Sequence, residues 1–271
     1  MTKRNASTPI SKEGREYHLH TKQGDIAANC LLVGDPGRAE MIAEKFLKNA
    51  VRVGDGHRAF NIYTGEYKKF RVSVIPTHMG CPSTGIVLPE AVRSGARRFI
   101  RVGSSSTLQK EPNVGDSAIC TGAVRLDGAS QNWAPIQFPA VPDHRVVHAL
   151  VKAAMKLKLP FHTGIGVTTD DFNEGQARPD SFNDGWIPPR LLEQHEELTR
   201  RGCLFYSMEE AALFVWCLTH SRSQYGELLA GAVDAIYGNR VTGAFAEMGV
   251  ENAIRIALEA FSILNSRHPI G

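Results

Sequence analysis

An apolar run, Cys30-Leu31-Leu32-Val33, stops at Gly34-Asp35-Pro36-Gly37-Arg38 and gives way at once to helical spacing at Met41, Ile42, Phe46 and Leu47. A short β-compatible run, a Gly/Pro break and then a 3.6-residue period describe a strand that turns directly into a helix. Such a unit buries itself only in a fold whose strands are backed by helices. Pro36 suits the first helical turn, where its missing N–H costs nothing. Backbone N–H groups at Gly34 and at the helix start are expected to point at one spot, with Arg38 one turn in, which makes a place to hold an anion. Gly-Asp-Pro is also common turn chemistry, so the rest of the chain has to decide.

The same alternation recurs along the chain. Strands are expected at Asn29–Gly34, Ala59–Tyr67, Arg71–Thr77, Arg98–Gly103, Ser117–Thr121, His162–Thr169 and Leu228–Tyr237. Helices are expected at Pro36–Leu47, Ser83–Ser94, Asp143–Leu157, Leu191–Arg201, Met208–His220 and Thr242–Arg267. A hairpin at Tyr63–Lys68 interrupts the order. The expected fold class is α/β, a mixed central β-sheet flanked by helices on both faces. Ligands in such folds collect beyond the carboxyl ends of the strands. No stretch of the 271 residues has linker composition, so one catalytic domain over residues 17–271 is expected, behind a polar, flexible tail over residues 1–16. Asn183–Pro189, with Asp-Gly and Pro-Pro pairs, is expected to be a flexible loop beside the site.

Thirty-one Lys and Arg against 28 Asp and Glu leave a net charge of +3, and no basic run exceeds two residues. That balance argues against a nucleic-acid partner. No apolar stretch approaches the ~20 residues of a membrane span. The polar N-terminus has no apolar core of a secretion signal, so a cytoplasmic chain without a membrane partner is expected. Five cysteines, odd in number and without close spacing, give no zinc or disulfide framework, and no metal site is expected.

A second strand end reads Phe99-Ile100-Arg101-Val102-Gly103-Ser104-Ser105-Ser106. A buried strand seldom carries an Arg without a partner, because an unpaired buried charge is expensive. Arg101 therefore requires an anion, either a carboxylate of the protein or phosphate. A turn at Gly103–Ser106 would add N–H groups and hydroxyls. His57-Arg58 reads as a solvated edge turn. Met79-Gly80-Cys81-Pro82-Ser83 starts a helix, with Ser83 a plausible cap.

After the strand ending at Thr169 comes Phe172-Asn173-Glu174-Gly175-Gln176-Ala177-Arg178. The Gln176 amide can read an N–H beside a carbonyl, Arg178 can neutralise charge on a carbonyl oxygen, and Phe172 can stack on a planar ring. An ordinary polar loop is the competing reading. In Ser207-Met208-Glu209-Glu210, a capping box accounts for Glu210 and leaves Glu209 without a structural role. Glu209 is thus the candidate to accept two hydroxyls of a sugar diol.

Taken in order, these segments resemble the nucleoside phosphorylase-I family, and its uridine phosphorylase branch most closely. The resemblance runs from about Tyr17 to the final helix. It rests on Gly34–Arg38, Met79–Thr84, Arg101–Ser104, Gly175–Arg178 and Met208-Glu209, with Val124–Ser130, Ala134-Pro135 and Phe138–Val141 characteristic of the uridine branch. It implies phosphate held by Gly34, Arg38, Arg101 and Ser104, with Arg58 lent by a neighbouring subunit. It implies ribose between Met208 and Glu209, with His18 of the neighbour at the 5′-hydroxyl. It sets Gln176 and Arg178 on the pyrimidine edge and Phe172 against the ring. Purine enzymes of the family carry an Asp near the end of the last strand, where this chain has Arg240, and that favours a base-binding role for Arg240 and uracil as the base. Arg101, Glu209, Arg178 and Gln176 are accordingly the expected catalytic set.

The implied reaction is reversible phosphorolysis of uridine, with deoxyuridine or thymidine as further substrates, giving uracil and ribose-1-phosphate. No cofactor is implied, since inorganic phosphate is a co-substrate. The implied assembly is a homo-oligomer, at least a dimer and commonly a hexamer built from three dimers. Three departures from the family pattern stand out: Ser207 replaces a usual acid, Ser106 replaces a usual glycine, and Ala59 stands where some bacterial members place a Glu of a monovalent-cation site, so no cation is carried over. Ser106 and Ser207 are expected to shift preference among pyrimidine nucleosides. A purine nucleoside phosphorylase, a hydrolytic nucleosidase and a non-catalytic nucleoside-binding protein on the same scaffold are the competing readings.

Overall fold

Alternation along β1 (Asn29–Val33) organises the whole molecule. The strand is buried at every position. Leu31 and Val33 enter one apolar cluster, while Cys30 and Leu32 enter another on the opposite face. A strand with two buried faces has to be covered twice, and helices cover it on both sides. The chain is described here from a computed structural model covering residues 5–7, 9–11, 13–179 and 184–267.

On one face lie α2 (Cys81–Ser94) and α5 (Glu210–His220); on the other lie α1 (Pro36–Phe46), α3 (His144–Leu157) and α6 (Val250–Arg267). Between them runs a nine-stranded mixed sheet. Its remaining strands are β2 (Lys48–Val53), β3 (Ile62–Tyr67), β4 (Phe70–Pro76), β5 (Arg98–Thr107), β6 (Ser117–Leu126), β7 (Phe161–Thr169), β8 (Phe205–Ser207) and β9 (Leu229–Asn239). Their order is β2-β3-β4-β1-β5-β8-β7-β6-β9, and β9 also pairs with β5. The last five strands in that order therefore close on themselves. A further helix, α4 (Pro189–Arg200), has no buried residue.

The α/β class, the mixed sheet and the helices on both faces are as expected. Several boundaries differ, and each has a physical cause. Gly103–Ser106 is not a turn: it continues β5 against β9, with Ser104 opposite Ala235 and a register shift between Ser105 and Ser106. Alternate N–H groups along it point toward β9, whereas pairing with β1 stops at Arg101 and pairing with β8 starts at Ser106, so N–H groups on that side as well as the hydroxyls are available to a ligand. The hairpin turn falls at Lys68-Lys69, with Lys68 at φ 56°, and not within Tyr63–Tyr67. The last helix starts at Val250 instead of Thr242, because Gly243 and Gly249 take φ of 76° and 89°. Gly249 packs on the Gly115 backbone, where no Cβ fits. The strands β2 and β8 were not anticipated; the first is largely exposed, and the second is only three residues long.

At the N-terminus, Glu16 forms a bidentate pair with Arg93, and Ile10 bridges Glu16. Residues 1–4, 8 and 12 of the expected tail, and Asn183 of the expected loop, lie outside the described residues. The five cysteines are unpaired and buried.

Phe261 of α6 is fully buried in the cluster that joins α1, α3 and α6 to the sheet. Truncation there removes contact area and leaves a cavity. Phe261→Ala should lower the unfolding free energy by roughly 3–5 kcal/mol in denaturant titration.

Candidate active site

A cavity of about 500 Å³ opens beyond the carboxyl ends of β1, β4, β5, β7, β8 and β9. One wall begins at the turn after β1. Asp35 caps α1 by accepting from Gly37 N at 2.8 Å, and Pro36 occupies the first turn. The Asp35 carboxylate thus takes one of the N–H groups expected to face an anion, which leaves Gly34 and Arg38 as this turn's contribution. Arg38 donates to the Val102 carbonyl at 3.0 Å and to Ser104 Oγ at 3.4 Å. This places Gly34, Arg38 and Ser104 together at one end, as expected, with Ser104 exposed.

Arg101 forms the floor. Residues of one parity in β5 and β9 face α5, so Arg101, Gly103 and Asp234 share a side, and Gly103 pairs directly with Asp234. Lacking a side chain, Gly103 lets the Arg101 guanidinium pass over it. Nη1 donates to Asp234 Oδ1 at 2.9 Å, Nη2 donates to Glu209, and Glu210 Oε1 lies 3.6 Å from Nη1. The anion that Arg101 requires is therefore supplied inside the protein, although Arg101 still lines the cavity. Burial opposes its charge, but the three carboxylates outweigh burial and hold its pKa above the usual arginine range.

Glu209 accepts from Gly80 N at 2.8 Å as well as from Arg101. Each of its oxygens keeps a lone pair for a hydroxyl. Burial, opposed by Arg101 and reinforced by Glu210, raises its pKa above the ordinary carboxylate value. The expected capping box is absent: Glu209 itself is the N-cap, without a side-chain cap bond, because Ser207 Oγ is taken by Thr168 Oγ1 at 3.1 Å. Glu210, with no cap to make, turns to Arg101. Ser83 is likewise no cap, since its hydroxyl donates to the Thr77 carbonyl at 2.5 Å and α2 starts at Cys81.

The opposite end holds Phe172, Gln176 and Arg178, with Met208 lining the middle. Gln176 is 3% exposed; its Nε2 donates to Thr169 Oγ1 at 3.3 Å, and its Oε1 accepts from Arg178. Arg178 lies over the Phe172 ring at 4.3 Å and donates to Ser106 Oγ at 3.3 Å. Burial and the neighbouring Arg240 charge lower its pKa from the ordinary arginine value.

Arg240 does not line the cavity. Its guanidinium donates to the carbonyls of Gln176 and Ala177, the latter at 2.7 Å, so it braces the loop from behind. His18 and Arg58 do not line the cavity of their own chain either. His18 is held by Glu90 of α2 through Nδ1 at 2.7 Å, and Arg58 is exposed in a turn at φ 53°.

Sequence reasoning missed His78, Tyr206, Tyr237 and Phe245, all of which line the cavity. Phe245 reaches it because residues before Val250 are not helical, and Tyr206 because β8 exists. It also missed Asp234, although an acid inside the apolar run Leu228–Tyr237 carried the same signal as Arg101.

The model of the phosphorylase superfamily matches residues 29–262. The chain belongs to that family. The phosphorylase is 38% identical to the uridine phosphorylase of Thermococcus kodakarensis over 259 residues, 96% of this chain and 90% of that protein. It is 35% identical to the uridine phosphorylase of Escherichia coli over 226 residues, 83% and 86% of the two chains. It is 30% identical to the guanosine phosphorylase of Halorubrum lacusprofundi over 263 residues, 92% and 99% of the two.

A Cβ at Gly103 would fall on both Arg101 Nη1 and Asp234 Oδ1. Gly103→Ala should displace the guanidinium and lower the phosphorylase's kcat/KM on the order of a hundredfold. Steady-state kinetics beside an unchanged far-UV circular dichroism spectrum checks this.

Proposed function

We propose that this phosphorylase is a pentosyltransferase that catalyses reversible phosphorolysis of uridine. The carrying observation is one cavity that joins a Gly34/Arg38/Ser104 end, a central Glu209 with Met208, and a Gln176/Arg178 end. The spacing suits phosphate, ribose and base in that order. The similarity to several uridine phosphorylases supports the choice of base.

Phosphate at the Arg38 end attacks C1′ while the bond to the base breaks. The transition state resembles a sugar cation, with its charge between the phosphate dianion and the departing uracil. Glu209 holds the ribose hydroxyls. Gln176 pairs with an N–H and a carbonyl of uracil, and Arg178 offsets the charge that develops on its oxygens. No covalent enzyme intermediate is needed, since positioning and electrostatics supply the rate. Each charged hydrogen bond to phosphate or base is worth roughly 1.5–3 kcal/mol. Arg240 enters this reading as a positioning residue: by fixing two carbonyls of the 176–177 backbone it keeps Gln176 and Arg178 aimed.

The likeness to a guanosine phosphorylase favours a purine as the second reading. Against it, the base end is lined by Gln176, Arg178, Tyr206 and Ser106, with no carboxylate among its described residues to meet a purine N7. An assembly of at least two copies, and in the fuller form three dimers, belongs to the same proposal, with His18 and Arg58 completing a neighbour's cavity. A cytoplasmic role in pyrimidine nucleoside breakdown and salvage goes with it.

Uracil release from uridine, with and without inorganic phosphate and beside an inosine control, tests the reading. Phosphate-dependent release with inosine inert is expected. Release without phosphate would make the protein a nucleosidase, inosine cleavage would make it a purine enzyme, and tight uridine binding without turnover would leave a binding protein.

Ser106 fills space beside Gly238 and anchors Arg178. Ser106→Gly should change the ratio of uridine to thymidine turnover by several-fold, because the freed guanidinium can shift toward or away from C5 of the ring. An unchanged ratio in paired kcat/KM measurements counts against Ser106 as a selectivity residue.

A further inference from the structure

Three acids meet one guanidinium under the cavity. Arg101 is 7% exposed, Glu209 2%, and Glu210 and Asp234 are fully buried. Asp234 Oδ1 and Glu209 accept directly from Arg101, and Glu210 lies 3.6 Å from it. The groups facing Asp234 are Arg101 from β5, Glu209 and Glu210 from the start of α5, and the Cys120 thiol from β6, which burial keeps neutral. One positive charge cannot balance three ionised acids where water is excluded. An uncompensated buried ion costs several kcal/mol, and such a group takes up a proton instead. The Glu210 and Asp234 side chains lie within hydrogen-bonding reach of each other. Each also keeps one buried oxygen, Glu210 Oε1 and Asp234 Oδ2, that no N–H or O–H reaches. A proton on one carboxyl supplies a donor that these oxygens otherwise lack.

We propose that Asp234 and Glu210 are positioning residues for Arg101, with Asp234 protonated and donating to Glu210, and that an anion entering the Arg38/Ser104 end of the cavity binds with uptake of a further proton by the buried acid cluster. With that one proton the group of four carries a net charge of about −1, which repels a phosphate dianion. The second proton removes that repulsion while Arg101 stays clamped. Consistent with this, burial and then Glu210, only partly offset by Arg101, hold the Asp234 carboxyl well above the usual carboxylate range. The proposal rests on the phosphorylase reading only in naming phosphate as the natural anion.

Sulfate is the probe, because it remains a dianion throughout and brings no titration of its own. Isothermal titration in two buffers of different ionisation enthalpy counts the protons taken up per sulfate, from about pH 5 to about pH 9, the span over which a buried carboxyl titrates. The wild-type protein should take up a count that rises toward one proton per site. Over the pH range in which the count approaches one, sulfate affinity should fall by up to about tenfold per pH unit. Asp234→Asn and Glu210→Gln should each at least halve the count, and thermal unfolding shows that each variant is folded. If neither variant folds, absence of proton uptake by the wild-type protein still overturns the proposal. Absence of proton uptake, absence of sulfate binding, or a count unchanged in folded variants would overturn the proposal. An unchanged count would assign the proton elsewhere. Uracil release measured on the same preparation keeps the two readings apart: its failure removes the uridine assignment and leaves the proton count standing.

Discussion

A guanidinium anchored inside a β-sheet is the constraint on which the rest of this molecule depends. Arg101 can sit there only because Gly103 leaves room above the strand, Asp234 waits on the neighbouring strand, and α5 brings two acids to the same point. Each condition fixes a backbone. The parallel pairing of β5 with β9 sets which residues share a face, and the start of α5 has to fall at Glu209. Removing Arg101 would strand buried carboxylates, which costs more than the intact pairs contribute. Site geometry and fold stability are therefore held by the same contacts.

Much of this was legible in the chain. The strand-to-helix turn at Gly34–Arg38, the Gln176/Arg178 loop and the Met208-Glu209 pair could be located because Gly, Pro and buried charge have few structural uses, and the structure gathers them around one cavity. Illegible was whatever depends on pairing between distant segments. Gly103–Ser106 looked like a turn because glycine and serine favour turns, yet ten ladder pairs with β9 hold β5 extended. Glu210 looked like part of a cap because local spacing allowed it, while the pull of Arg101, more than a hundred positions away, decided otherwise. Arg240 seemed aimed at the base because sequence places it near a strand end, but two loop carbonyls claim its donors.

The two ends of the cavity are built on different principles. At the Arg38 end, cations and hydroxyls sit on rigid elements, with α1 capped by Asp35 and Arg38 tied to the Val102 carbonyl. At the other end, Gln176, Arg178 and Phe172 belong to a loop whose shape comes from mutual contacts and from Arg240. Rigid donors suit a small, symmetric anion whose demands never vary. A braced loop suits a planar ring whose substituents differ among nucleosides.

Closure of five strands into a ring has a consequence at the far side of the sheet. With β9 returning to β5, the sheet order leaves β2 as the free edge among the described strands. An open edge invites another chain to add a strand. Here that edge is interrupted by a register shift between Lys48 and Val51, and it is lined by the cations Lys48 and Arg52. Two such edges meeting would set like charges side by side. The fold thus guards its one unfinished border against self-propagating aggregation.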